Sequence, residues 1–163
     1  MKTFSYDARS KFYFRYANLA LSLVLLTYFV VLVISIGSRP YLAIPAMLIL
    51  LIVYALNKYY INTYKNLPFV ISADEEKLTA SNYMFGKRVV EIKYSDIDEI
   101  SGGVFGFNPK GLIYIHDGEH SLSISIHPNI DNVNILLRHV LGKVSKELRD
   151  ESVKKLKQAE EGR

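Results

Sequence analysis

The chain has no cysteine and no tryptophan, and only five prolines in 163 residues. Without cysteine there is no disulfide framework, no thiol nucleophile and no thiolate metal site, so the fold has to rest on burial and hydrogen bonding. A one-signed charge excess is also missing from most of the chain. Residues 57–163 hold fifteen lysines and arginines against fifteen aspartates and glutamates. The net charge of +4 therefore lies at or before residue 39, where Lys2, Arg9, Lys11, Arg15 and Arg39 face Asp7 alone. Nucleic-acid binding needs a clustered basic face, so nucleic acid is set aside as a partner. No GK[ST] phosphate loop and no paired histidine spacing of a zinc site is present. No cofactor, metal or small-molecule substrate is expected.

Two long hydrophobic runs are present, separated by Gly37-Ser38-Arg39-Pro40. From Ala17 to Ile36 the chain carries no charge, and thirteen of the residues are Leu, Val, Ile or Phe. A helix needs ~20 residues to cross the hydrocarbon of a bilayer, and those thirteen contribute about −4 to −8 kcal/mol to insertion. Tyr41 to Tyr60 has nine such residues, with Pro45 near its start and Asn57-Lys58 near its end. Gly37 suits a helix C-terminus because it tolerates positive φ, and Pro40 suits a helix start because it has no N–H to leave unpaired. Residues 16–61 read as a two-helix transmembrane hairpin. Folding it about the loop brings Asn18 to the depth of Asn57, where the two amides can hydrogen-bond between the spans.

Seven cations flank the hairpin, Lys2, Arg9, Lys11, Arg15, Lys58, Lys65 and Lys77, against Arg39 in the loop. The positive-inside rule puts both termini in the cytoplasm, in a cytoplasmic (inner) membrane protein with two spans. Residues 1–15 form a basic and aromatic cytoplasmic segment. Phe12, Tyr13, Phe14 and Tyr16 with Tyr54, Tyr59, Tyr60 and Tyr64 form one interfacial belt.

After Pro68 the period changes. Phe69–Ala73, Lys77–Tyr83, Lys87–Tyr94, Asp96–Ser101, Gly111–His116 and Ser121–His127 are short runs rich in β-formers, divided by turn residues, as in an antiparallel meander. Val104–Phe107 is a seventh candidate. Val133, Leu137, Val140, Val144 and Leu148 then recur at helical spacing, with Asp131 in the N-cap position. From Lys146 onward the chain reads as a solvated, fraying helix that ends in the charged tail 149–163.

This order resembles bacterial two-span membrane proteins carrying a pleckstrin-homology-like (PH-like) domain. The matching segments are Lys93-Tyr94-Ser95-Asp96-Ile97-Asp98-Glu99-Ile100, similar to that family's entry into a central strand, and Asp131 to Leu141 with its paired leucines. The resemblance implies a fold of a membrane helical hairpin plus an α+β domain at 68–148, a bent antiparallel sheet capped by a C-terminal helix. It implies no enzyme activity.

Candidate chemistry is sparse. His116-Asp117-Gly118-Glu119-His120 reads as a two-residue Asp-Gly hairpin turn with polar neighbours rather than a metal site. Alternation places His120 on the face of Leu122, Ile124 and Ile126, and His116 and His127 on the other. The glycine-rich stretch Ser101–Gly111 reads as a flexible connection, whose exposed Phe105 and Phe107 with Lys110 are candidates for contact with a partner or the membrane interface. PH domains that bind phosphoinositides place several cations by their first strand loop. The corresponding Ala73-Asp74-Glu75-Glu76-Lys77 carries three anions and one cation. The expected function is a membrane-anchored, non-enzymatic binding or scaffolding module that recruits a protein partner at the bilayer. The alternatives are a homo-oligomer or subunit of an assembly acting through its hairpin or, further off, a lipid-sensing module or an enzyme.

Overall fold

The computed structural model describes residues 1–106 and 108–161. The chain divides into two units, one of Met1–Lys11 with the chain from Lys65 onward, the other Phe12–Tyr64.

In Phe12–Tyr64, two helices are joined by a tight turn. The first, α1, runs Ala8–Ser35 and the second, α2, Ala43–Tyr64. Asp7 starts α1, its carboxylate accepting the Ser10 N–H at 2.9 Å, which satisfies one of the unpaired donors of the first turn. Arg39 N–H closes the far end on Ser35 O at 3.0 Å. Pro40 opens a short 3-10 turn, Pro40–Leu42, that leads into α2. Gly37 does not use the left-handed conformation that glycine permits. At ~1.5 Å per residue, the 28 residues of α1 outreach a ~30 Å bilayer core by about two fifths. That excess holds Arg9, Lys11 and Arg15. Only 6% of the most apolar window of either helix is buried, with Leu19, Leu23, Ile44 and Leu51 open to the surroundings. A soluble core helix has the opposite pattern, so two helices are long, apolar and exposed enough to cross a membrane.

The other unit is built from two antiparallel sheets. One has the order β1-β2-β3-β4, from Lys2–Ser5, Pro68–Ala73, Lys77–Tyr83 and Val90–Lys93. The second has β5-β6-β7, from Glu99–Gly102, Ile113–Asp117 and Leu122–Ile126. Period-two alternation sends Phe69, Ile71 and Ala73 inward from β2, where Ile71 lies between Phe4 and Ala80 and Ala73 lies opposite Leu78. In the second sheet Ile100, Ile115 and Ile124 form a buried row across the three strands, and Ile113 pairs with Ile126 beside it. Two helices follow, α3 at Val133–Lys143 and α4 at Lys146–Glu161. Leu136 and Val140 of α3 are buried, and α4 packs on β5 and the loop after it.

Five expectations are corrected. The seventh strand is not Val104–Phe107: Gly103–Gly106 is a 3-10 turn, Phe107 lies outside the described residues, and the strand is β1, before the hairpin. Four residues flanked by an aromatic and a charged segment give too short a period to read. The strands written as Lys87–Tyr94 and Asp96–Ser101 are shorter, because Tyr94–Asp96 forms a 3-10 turn and residues 84–89 a loop. The helix cap is Asn132, in the left-handed region at φ 55°, rather than Asp131, whose N–H instead donates to Ser5 O at 3.1 Å. The C-terminal helix breaks at Val144-Ser145, where Ser145 Oγ accepts the Leu148 N–H at 3.2 Å and starts α4. Residues 149–159 are largely exposed, but the helix is not solvated on every side, since Ser152 is buried. Lastly, Asp117 pairs with Leu122, so the β6–β7 loop has four residues instead of two.

β1 is fastened by more than its ladder. Tyr6, which follows it, is buried, and its hydroxyl accepts the His127 N–H at 2.7 Å and donates back to His127 O at 3.4 Å. Burial pushes this phenol far above its usual pKa, so it stays a neutral donor and acceptor. Tyr6→Phe should destabilise the β unit by about 1 kcal/mol through the lost hydrogen bonds, and Tyr6→Ala by about 3–5 kcal/mol through the added cavity. Denaturant unfolding in detergent, followed by tyrosine circular dichroism, checks the order. A Tyr6→Ala protein with the parent midpoint would mean that β1 is not docked.

Candidate functional site

The apolar run of α1 is interrupted by polar residues at positions that α2 answers. Asn18 donates to Asn57 Oδ1 at 2.7 Å, and Asn57 donates to Ser22 Oγ at 2.9 Å and to Val53 O at 2.8 Å. One amide thus bridges two residues a helical turn apart, and Ser22 is buried by it. Nearby, Tyr60 donates to Phe14 O, and the rings of Phe14 and Tyr64 lie 5.8 Å apart. These contacts fix the register of the two helices. Interhelical hydrogen bonds average ~0.6 kcal/mol in membranes.

The glycine-rich loop is ordered from within. Asn108 N–H donates to Gly103 O at 2.9 Å and Gly111 N–H to Asn108 O at 2.8 Å. Gly102 and Gly103 take φ of 70° and 50°, and a Cβ at either would collide with β6 or the residue before it. These glycines serve close packing of β5 on β6 rather than a phosphate cradle. Phe105, expected to be exposed, is buried beneath α4, because α4 covers a loop that was expected to face a solvated tail. Phe107 lies outside the described residues and Lys110 is exposed. The stretch therefore does not present Phe105 to a partner.

At the β6–β7 loop, Asp117 is buried and takes two hydrogen bonds from His120, one from its backbone N–H at 3.0 Å and one at Nδ1, 2.9 Å away. His120 stands exposed in the loop rather than on the face of Leu122, a consequence of the longer turn. Asp96, Asp117 and His120 each bring one ligand atom within 4.8 Å of the others. Asp117 has both oxygens engaged by His120, and Asp96 Oδ1 accepts the Ser95 hydroxyl at 2.5 Å, so three of the four carboxylate oxygens already accept a hydrogen bond.

The acidic turn between β2 and β3 is equally occupied. Asp74 Oδ1 accepts the N–H groups of Glu76 and Lys77 at 2.8 Å each, Glu75 pairs with Lys143 of α3, and Lys77 reaches Glu91 at 2.6 Å. His139 Nε2 lies 2.9 Å from Asp74 O, with its ring edge-on to Tyr94. Backbone donors hold the Asp74 carboxyl below its ordinary pKa, and the hydrogen bond from Lys143 does the same for Glu75. This turn docks α3 and has no cationic clasp for a polyphosphate.

A segment that sequence reasoning missed is the β3–β4 loop, Met84 to Val89. Phe85 and Val89 are exposed large apolar side chains on either side of exposed Lys87 and Arg88. Reading Lys87–Tyr94 as one strand concealed it. Its signal was Gly86, a turn former, followed by two cations, with no anion between Asn82 and Val90.

No protein-family model matches the chain, no curated protein matches it, and no solved structure matches it.

Two outcomes are expected from these sites. Asn57→Leu removes both interhelical bonds and should weaken the hairpin by about 1 kcal/mol, against about 0.6 kcal/mol for Asn18→Leu. Unfolding by titration with a denaturing detergent measures this, and an Asn57→Leu protein as stable as the parent would sink it. The hydrogen bond from Asp117 raises the His120 pKa above its ordinary 6.5. The charged imidazole therefore stabilises the fold fully below about 6.5, and that stability is lost as pH rises through the raised value. Asp117 is lowered by hydrogen bonds from His120, so its share is present above the usual carboxylate range and lost on acidification. In Asp117→Asn the His120 imidazole should titrate closer to 6.5 by proton NMR. An unmoved titration would break the pairing.

Proposed function

We propose that this chain is a membrane-anchored, non-enzymatic scaffolding module, whose β domain holds a protein partner at the cytoplasmic face of a bacterial inner membrane. The observation that carries the reading is the pairing of β1, which precedes the hairpin, with β2, which follows it. A hairpin inserted between two neighbouring strands must have both ends on the side of their sheet. Two exposed apolar helices and seven flanking cations agree with two spans and cytoplasmic termini.

The PH-like identity belongs to the same proposal. Sheets of four and three antiparallel strands followed by a C-terminal helix support it. This chain departs from that pattern in having its first strand before the membrane segment and in carrying a second helix, α4. Nothing in the acidic β2–β3 turn suits a phosphoinositide, which favours a protein partner over that headgroup.

The absence of native cysteine makes the topology directly testable. A single cysteine at Ser38 should react with an impermeant maleimide in intact cells, and one at Lys157 only after lysis. Labelling of both from outside would overturn the arrangement. Cross-linking in native membranes should then return a distinct protein, whereas a self-only product would move the function to a homo-oligomer acting through the hairpin.

A further inference from the structure

We propose that the β3–β4 loop, Phe85–Val89, is a second membrane contact, which seats its apolar residues in the interface and its cations on anionic headgroups. The inference rests on the reading that α1 and α2 span a bilayer, and adds where the β unit touches it. Among the described residues of that unit, only Met1, Phe85, Val89, Ile135 and Val153 are exposed large hydrophobics. Two of these five fall within one five-residue loop, with Lys87 and Arg88 between them. Gly86, at φ 110°, lets the chain double back there and present both ends.

What gives the loop its occupant is its attachment. Arg88 Nη2 donates to Lys65 O at 2.8 Å and to Asn66 Oδ1 at 2.7 Å, while its guanidinium lies 4.2 Å over the Tyr83 ring. Lys65 directly follows Tyr64, the last residue of α2. In a chain whose second helix spans the bilayer, the residue after that helix lies at headgroup depth. The loop is pinned to that residue by a side chain of its own. Arg88 keeps its full charge and three further N–H donors, and exposed Lys65 adds a third cation beside it.

Charge placement in the β unit fits this direction. The acidic Asp74-Glu75-Glu76 turn precedes β3 and the basic loop follows it, so seven residues of strand, ~20 Å, separate the two. β2 likewise starts at Pro68, next to the end of α2, and finishes at the acidic turn. Basic and apolar groups thus sit at the end of the strands where the chain leaves α2, and carboxylates at the other. Each lysine or arginine near an anionic surface contributes about 1 kcal/mol, and apolar side chains beside them add burial in the interface.

The chain has no tryptophan, so one substitution reports one position. Phe85→Trp in the full-length protein, reconstituted in phosphatidylglycerol/phosphatidylcholine vesicles at low salt, should emit at shorter wavelength than an exposed indole. Lipids brominated near the headgroup should quench it at least about twofold more than in pure phosphatidylcholine, with the difference shrinking as salt is added. Lys87→Glu, whose side chain has no hydrogen bond among the described residues, should halve that difference, and Lys87→Glu with Arg88→Glu should abolish it. Ile135→Trp on α3 should stay water-like in both vesicles. Equal quenching in the two lipids, indifference to charge reversal, or the same response at Ile135→Trp would overturn the proposal. A shielded but unquenched Phe85→Trp would place the loop against protein, its own domain or a second copy, and would overturn the proposal. Leu26→Trp, mid-way along the uncharged run Ala17–Ile36, separates the two claims. If it is quenched by deeply brominated lipid and Phe85→Trp is not, the loop contact alone fails, and if Leu26→Trp is itself unquenched, the spanning reading fails.

Discussion

Four residue pairs, Lys2 with Ala73 through Ser5 with Val70, join the part of the chain before the hairpin to the part after it. Everything else in the β unit depends on this closure. An unpaired β2 edge would leave N–H and C=O groups exposed as a template for other chains, and Phe4 and Tyr6 would leave a hole beside Ile71 and Phe69. The closure is non-local, so its loop entropy is met only after both helices are in place. For a chain that enters a bilayer, it also selects topology. An arrangement with one span inserted puts β1 and β2 on opposite sides and forfeits the ladder, whereas two spans allow it. The flanking cations and the strand pairing are thus independent forces toward the same state.

Within the hairpin, cohesion has a different source. Apolar side chains that face outward on both helices contribute to insertion but do little to hold one helix against the other, because lipid tails are as apolar as leucine. Specific pairing falls to small and polar residues, which here are Asn18, Ser22, Ala46 and Asn57. Each bond is worth little. Their value lies in register, since only one sliding of α2 along α1 lets Asn57 serve Asn18 and Ser22 together.

The long-range periodic features were legible in the residues, while features that depend on one contact were not. Twenty uncharged residues, or Leu122-Ser123-Ile124-Ser125-Ile126, leave little choice of structure. The Asn18 and Asn57 pair followed from counting residues back from a turn. By contrast, β1 has four residues and becomes a strand only because β2 offers it an edge. Phe105 read as exposed because its cover, α4, looked too charged to pack. In fact α4 buries a narrow stripe holding Leu148 and Ser152, and its charges occupy the remaining face. The Asp-Gly pair is a good two-residue turn by propensity, yet the buried Asp117 carboxylate takes the His120 N–H and ring, which holds Asp117 in the strand and lengthens the loop. Tertiary hydrogen bonds of this sort leave no period to detect.

Anchoring changes which surface contacts matter. Lys87 and Arg88, at about 1 kcal/mol each, amount to a dissociation constant of tens of millimolar for a free domain, which is no binding in practice. The same contact on a domain joined to the bilayer by its own chain is intramolecular, with an effective concentration in the millimolar range or above. The Arg88 bond to Lys65 shortens that tether to a single residue from the end of α2. On the proposed membrane contact, a loop of this strength would orient the domain rather than recruit it, and the affinity for the membrane would stay with the hairpin. Orientation has a further consequence for partner choice. Under that proposal, the acidic β2–β3 turn and α3, which Lys143 and His139 fasten to it, are the surface left open to the proposed protein partner.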